Sequence, residues 1–208
     1  MLMTLTRTCA AIAILGAWTA SAAPEKAASP SDAIKNYWAS VKAGKVDDAV
    51  GSYIDTSALV DLAVGSDKSI TSEQRGSAAK DLQGFLGIAW KQPEVANVIK
   101  TSELKIKSEK PAGDGTTAVE YVVVVEKPQH AELDNTAYTT KGADGWRIVD
   151  MKQADGPRMS ETLRTGYTGA HQKLPSLTFD QFVNMMTSTL NRKANTTRQP
   201  ATKAAPAR

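Results

Sequence analysis

The chain has 208 residues, 25 of them basic and 22 acidic, for a formal charge of +3, and its only cysteine is Cys9. A lone cysteine excludes an intramolecular disulfide framework and a cysteine-rich metal cluster. One basic residue lies in the first 22 positions and five lie after position 190, so the body carries 19 basic against 22 acidic residues; that mild acidity argues against a nucleic-acid-binding domain, which concentrates positive charge on a folded face.

The first segment reads as an address. Arg7 precedes an apolar run from Thr8 to Trp18, and Thr19-Ala20-Ser21-Ala22 closes it with small residues. This layout predicts a cleavable secretory signal over residues 1–22 and a mature chain that works outside the cytoplasm. The apolar run is shorter than the roughly 20 residues a membrane span needs. Cys9 leaves with the signal, so the mature chain has no thiolate ligand and no cysteine nucleophile. Residues 23–30 read as a short linker and 31–193 as a single domain, long enough for one core. Residues 194–208 are rich in Ala, Thr, Pro and Lys without apolar periodicity and read as a disordered basic tail.

Within the domain, Pro30-Ser31-Asp32 opens a first helix with Ile34, Tyr37, Trp38 and Val41 on one face, and Gly44 closes it. A short helix over residues 46–53 follows. A third starts after Asp55-Thr56, with Leu59, Leu62 and Ala63 apolar. Thr71-Ser72-Glu73-Gln74 fits a capping box, in which hydroxyl and amide satisfy each other's orphan backbone donors. The helix it starts carries Leu82, Phe85, Leu86, Ala89 and Trp90 at the spacing of a core-facing stripe, up to a stop or kink at Pro93.

From residue 104 the period changes. Residues 104–107 alternate, 111–115 read as a turn, and 116–127 hold the β-branched run Val122-Val123-Val124-Val125. Residues 131–140 form another candidate strand, and Ala143-Asp144-Gly145 turns into a last one over 146–151. This predicts an antiparallel meander of about four strands. Two helices follow, one near Pro157 and one at a second capping box, Thr178-Phe179-Asp180-Gln181. Helices, meander, helices is an α+β pattern: a curved antiparallel sheet with N-terminal and C-terminal helices packed on one face.

Catalytic motifs are scarce. There is no phosphate-binding glycine loop, no HExxH and no GxSxG. His130 and His171 are isolated and read as surface residues, so no metal or other cofactor is expected. Ser102-Glu103-Leu104-Lys105 matches the SxxK pattern without its companion motifs and reads as coincidence. Tyr121, Tyr138 and Asp134 are candidates for proton transfer, but Asp134 beside Asn135 fits a turn better. The expectation is a protein that is not an enzyme.

The order of the motifs resembles the MlaC (toluene-tolerance) family. Asp55 starts a short helix, Gly65 follows ten residues later, and Thr71-x-x-Gln74-Arg75 opens a long amphipathic helix ending in aromatics. Trp146-Arg147-Ile148-Val149-Asp150-Met151 resembles the family's last strand, and Asp155-Gly156, Arg164 and a terminal amphipathic helix follow in the family's order. The resemblance implies an NTF2-like domain in the periplasm. It would hold phospholipid acyl chains and pass them between an inner-membrane ABC transporter complex and an outer-membrane lipoprotein complex. Such a shuttle needs an apolar cavity with a mouth rather than catalytic groups. Two alternatives stand beside it, an NTF2-like envelope domain that only mediates protein contacts and an NTF2-like enzyme of the isomerase kind.

On this reading Phe85, Trp90, Tyr121, Val123, Tyr138, Ile148, Met159, Leu163, Phe182 and Met186 are expected on the sheet's concave face, half or more of them lining one elongated cavity. The odd positions of the Val122–Val125 run are taken to face inward. Arg164 is expected to hold a structural salt bridge to a carboxylate, with a headgroup contact as its second role.

Overall fold

Ser29 sets the direction of the first helix: its hydroxyl accepts from the Asp32 N–H at 3.1 Å, with Pro30 at the first helical position of α1 (Pro30–Lys42). This computed structural model describes residues 25–65, 67–126 and 130–198, side chains after Arg192 excepted. The signal reading over residues 1–22 lies outside the described residues. Helix α2 (Val46–Tyr53) leads to α3 (Thr56–Val64), whose cap Asp55 accepts from the Ala58 N–H at 3.0 Å. Both halves of the capping box close at α4 (Ser72–Trp90). Thr71 Oγ1 accepts from the Gln74 N–H at 3.2 Å, and Gln74 Oε1 accepts from the Thr71 N–H at 2.8 Å.

Pro93 ends nothing by itself; it starts a further helix, α5 (Pro93–Lys100), which the sequence reading lacks. The first turn of a helix has no partner for an N–H, so proline is tolerated there. Four strands follow, β1 (Ser102–Gly113), β2 (Thr116–Val125), β3 (Ala131–Gly142) and β4 (Gly145–Gln153), forming one antiparallel meander in sequence order. β1 runs through Pro111, where the sequence predicts a turn. It is an edge strand, so a missing donor costs little. The turn comes later, at Gly113-Asp114-Gly115, with φ of 87°, 49° and 72°.

Two helices close the domain, α6 (Met159–Lys173) and α7 (Phe179–Arg198). α7 continues past residue 193, where the sequence predicts that the domain gives way to a disordered tail. No proline interrupts it before Pro200. The rest of the tail lies outside the described residues.

Helix α1 crosses all four strands, α3 packs on α4, α6 and β4, and α7 packs on α4 and α6. The core lies between the helices and one face of the sheet, with Ile34, Ile54, Leu59, Leu82, Val119 and Ile148 all within 2% exposure. Helices and sheet are joined by backbone as well as side chains. Asp55 N–H donates to Ile148 O at 2.8 Å, and the Arg147 guanidinium donates to Gly51 O and Ile54 O at 2.9 and 2.7 Å.

Candidate functional site

The meander's register decides which residues meet the helices. Tyr121 pairs with Ile106 on one side and Asn135 on the other, and Asn135 pairs with Gln153. Opposed residues on paired strands share a face. Over this face, beneath α1 and α5, opens a cavity of about 390 Å³. Its floor is Tyr121 and Val123 on β2, Leu133 and Asn135 on β3, and Ile148, Met151 and Gln153 on β4. Ile34, Tyr37 and Trp38 reach it from α1, Trp90 from the end of α4, and Val95, Val98 and Ile99 from α5. Trp90 meets Tyr37 and Trp38 edge-on, with centroids 5.9 and 6.3 Å apart. These contacts prop α1 and α4 apart at the cavity's end with favourable aromatic geometry. An adjoining cleft of about 310 Å³ shares Tyr121, Asn135, Met151 and Gln153, and adds Lys152, Pro157, Met159 and Thr162.

The cavity wall is apolar with a few polar groups, the usual composition of a small-molecule site, and its size falls within the roughly 300–1,000 Å³ of such sites. Among the described residues, Glu94 is the one charged side chain on the main cavity's wall. Burial pushes the Tyr121 phenol up to about 12. Tyr37 is also well above the usual tyrosine range, first through burial, then through nearby Tyr121, with the Trp90 indole working in the opposite direction. The Tyr37 hydroxyl and the Trp38 indole N–H are buried without a hydrogen-bond partner of acceptable geometry among the described residues. Among the described residues, no group of three or more His, Cys, Asp or Glu is placed to hold a metal ion.

Four of the ten residues named from the sequence, Trp90, Tyr121, Val123 and Ile148, line this cavity, and Met159 lines the adjoining cleft with Tyr121. The others lie elsewhere. Phe85 and Met186 line a separate surface groove with Met185, Thr189 and Leu190, because α7 covers α4 and not the sheet. Leu163 and Phe182 are 5% and 7% exposed in the packed core. Tyr138 pairs with Ala118 and Asp150, on the face away from the cavity, where the Arg158 guanidinium sits 3.7 Å over its ring. Arg164 bonds carbonyls rather than the expected carboxylate: its Nε donates to Ala63 O at 2.9 Å and its Nη2 to Leu62 O. It caps the last carbonyls of α3, where a cation also complements the helix dipole.

The proton-transfer candidates are not assembled. Asp134 is a β3 residue opposite Val122 rather than a turn residue, ion-paired with Lys107, while Tyr121 points to the other face. Ser102 is 1% exposed and donates to Ile99 O at 2.9 Å, while Lys105 pairs with Glu103 at 3.4 Å. His130 and His171 are both exposed.

The wall residues that the sequence reading does not assign to the site are chiefly Tyr37, Trp38, Val95, Val98, Leu133 and Met151. A signal exists for α5: Val95, Val98 and Ile99 stand at i, i+3 and i+4. Tyr37 and Trp38 fall on the apolar face of α1 by spacing alone, but periodicity does not say whether such a face meets packed atoms or a cavity.

No protein-family model matches the chain, and no curated protein matches it. A solved structure does. The phospholipid-binding protein of Ralstonia solanacearum, in complex with a phospholipid, superimposes with a TM-score of 0.62 at 17% identity. The match covers 80% of this chain and 99% of that one. The two share a fold. At this identity the likeness speaks for the α+β arrangement of helices and curved sheet.

Proposed function

We propose that this protein is a periplasmic lipid carrier that holds phospholipid acyl chains in the cavity under α1 and α5 and shuttles them between membrane complexes of an ABC-type transport system. The observation that carries the reading is the apolar cavity of about 390 Å³ on the helix-facing side of the sheet. The fold it sits in is shared with a protein whose structure contains a phospholipid. The export and the partner complexes rest on the signal-like N-terminus and on the resemblance in motif order. Carriage requires burial of chains and a route in and out, so no residue of the wall has to do chemistry. Among the described residues no helix is long and apolar enough to cross a membrane, and a carrier of this kind needs none.

Native mass spectrometry of protein purified from the cell envelope tests both parts. The expected species is a chain lacking residues 1–22 with one phospholipid bound. Val98→Trp, on the α5 wall, fills the cavity and should abolish the lipid adduct while leaving the thermal midpoint in place. A wild-type chain that arrives without lipid and takes none up from phospholipid vesicles refutes the carrier reading.

A further inference from the structure

The groove between α4 and α7 shares no lining residue with the main cavity. Phe85 lines it from α4, and Met185, Met186, Thr189 and Leu190 line it from α7, around about 350 Å³ of open space. Met185 is 47% exposed. Phe85, Met186 and Leu190 are half-buried, and Thr189 is exposed. A contiguous apolar patch left at the surface marks a contact site.

The charges next to the groove say what it meets. After Asp180 the sequence has no acidic side chain and five basic ones, Arg192, Lys193, Arg198, Lys203 and Arg208. α7 continues as helix through the first three of them. Arg192 stands seven residues after Met185, and Lys193 seven after Met186. Seven residues are close to two turns, so these basic positions extend the same helix face. On α4, Asp81 accepts from the Asn184 amide at 3.4 Å and is engaged in joining the two helices. An apolar strip leading into cations on one helix suits a helix lying in the plane of an anionic bilayer, with apolar side chains at the acyl boundary and cations at the headgroups. Cations strung along residues 192–208 present no fixed constellation for a folded partner to match, and a charged lipid surface requires none.

We infer that the α4–α7 groove and the basic end of α7 form a docking surface for an anionic phospholipid bilayer. This stands apart from the carrier reading, because docking needs no lipid in the cavity.

Flotation of the purified protein with vesicles tests it. The wild type should bind vesicles of equal parts phosphatidylglycerol and phosphatidylcholine, fail to bind phosphatidylcholine alone, and lose binding as salt rises from about 50 mM to about 500 mM. The double variant Lys193→Gln, Arg198→Gln should bind about 20-fold more weakly. Met185→Gln alters no charge and should still weaken binding about fivefold. A polarity-sensitive fluorophore on Met185→Cys, in a Cys9→Ser background, should shift to the blue on the anionic vesicles, and the same label on Glu132→Cys should not. Native mass spectra of the variants should keep the lipid adduct of the wild type, which separates docking from carriage. Absence of binding to the anionic vesicles overturns the docking surface. Binding that Met185→Gln leaves unchanged, with no shift of the label, overturns the groove's part in it and leaves only the charges. A dimer in sedimentation velocity that Met185→Gln splits also overturns it, by assigning the groove to a second copy of the chain.

Discussion

Asp150 is the residue whose removal should most clearly uncouple the site from its scaffold. It is 1% exposed, and its carboxylate accepts three hydrogen bonds. Oδ1 takes the Met151 and Ser160 N–H groups at 2.9 and 3.2 Å, and Oδ2 takes the Ser160 hydroxyl at 2.6 Å. The carboxylate thereby pins the first turn of α6 to β4, with the helix dipole in its favour. Asp150→Ala leaves the Ser160 N–H and hydroxyl buried without an acceptor. At about 1–3 kcal/mol per orphaned group, the expected loss is about 3–4 kcal/mol, a large part of a typical domain stability of about 5–15 kcal/mol. Asp150→Asn keeps one acceptor oxygen and offers its amide to a rotated Ser160 hydroxyl, so it should cost about 1–2 kcal/mol. Urea unfolding followed by the fluorescence of Trp38, Trp90 and Trp146 reads both values. With an m-value of about 2 kcal/mol/M, the Ala variant's midpoint should fall by about 1.5–2 M without a change in slope. Because Met159 and Thr162 of α6 line the adjoining cleft, lipid uptake should fall as well. An Ala variant that loses less than about 1 kcal/mol, or an Asn variant as damaged as Ala, would show that these hydrogen bonds do not hold α6.

Three further substitutions or conditions probe other parts of the scaffold. A Cβ at Gly145 would lie 2.7 Å from Ala27 O, at a φ of +98°. Gly145→Ala should therefore cost about 1–3 kcal/mol in thermal denaturation, and an unchanged midpoint would show that the strap of residues 25–29 is not seated there. Arg164→Ala removes two bonds to α3 carbonyls and should cost about 1–2 kcal/mol; full rescue by Lys would contradict the forked geometry assigned to it. Tyr121 ionises at about 12 in the folded chain against 10.0 for an unperturbed tyrosine, so the unfolded chain loses its proton first. Stability present below about pH 10 should then decline as pH rises towards 12, by up to about 3 kcal/mol, and an alkaline unfolding profile that Tyr121→Phe leaves unchanged would refute it.

The fold is legible where local chemistry is explicit. The Thr71–Gln74 capping box, the Asp55 cap and the β-branched run each announce an element without reference to anything distant. α5 escapes the sequence reading because Pro93 reads there as an end, and proline serves equally as a beginning. The cavity is legible only in part. Tyr121 and Val123 follow from strand alternation once a parity is chosen. The roof is set by which helix covers which end of the sheet, and that is a tertiary choice. Phe182 and Met186 belong to a well-formed amphipathic helix, yet α7 lays its stripe chiefly on α4, with a smaller contact to α6, rather than on the sheet. Arg164 falls, as its sequence position implies, on the helix after the last strand, but its partners are carbonyls, which carry no sequence signature.

Core and cavity are two ends of one surface. Moving along the helix-facing side of β2 and β3, the cross-strand pairs are Thr117 with Thr139, Val119 with Ala137, Tyr121 with Asn135, and Val123 with Leu133. At the first end the side chains are small, and Val119, Ala137 and Thr139 are sealed to within 1% exposure. At the second end larger side chains stand up from the strands, and the layer above them is α5, an eight-residue helix presenting Val95, Val98 and Ile99. Short aliphatic side chains on a short helix do not reach far enough to fill the space that Tyr37, Trp38 and Trp90 hold open. Small residues on the sheet let the helices close, whereas large residues on the sheet with an edge-on aromatic prop keep them apart. A tight core beside the cavity also has a mechanical consequence. The wall that would receive a lipid is anchored through Ile148 to the same strand that pairs with Ile54 and seals the core, so the cavity can change its contents without the core changing its packing.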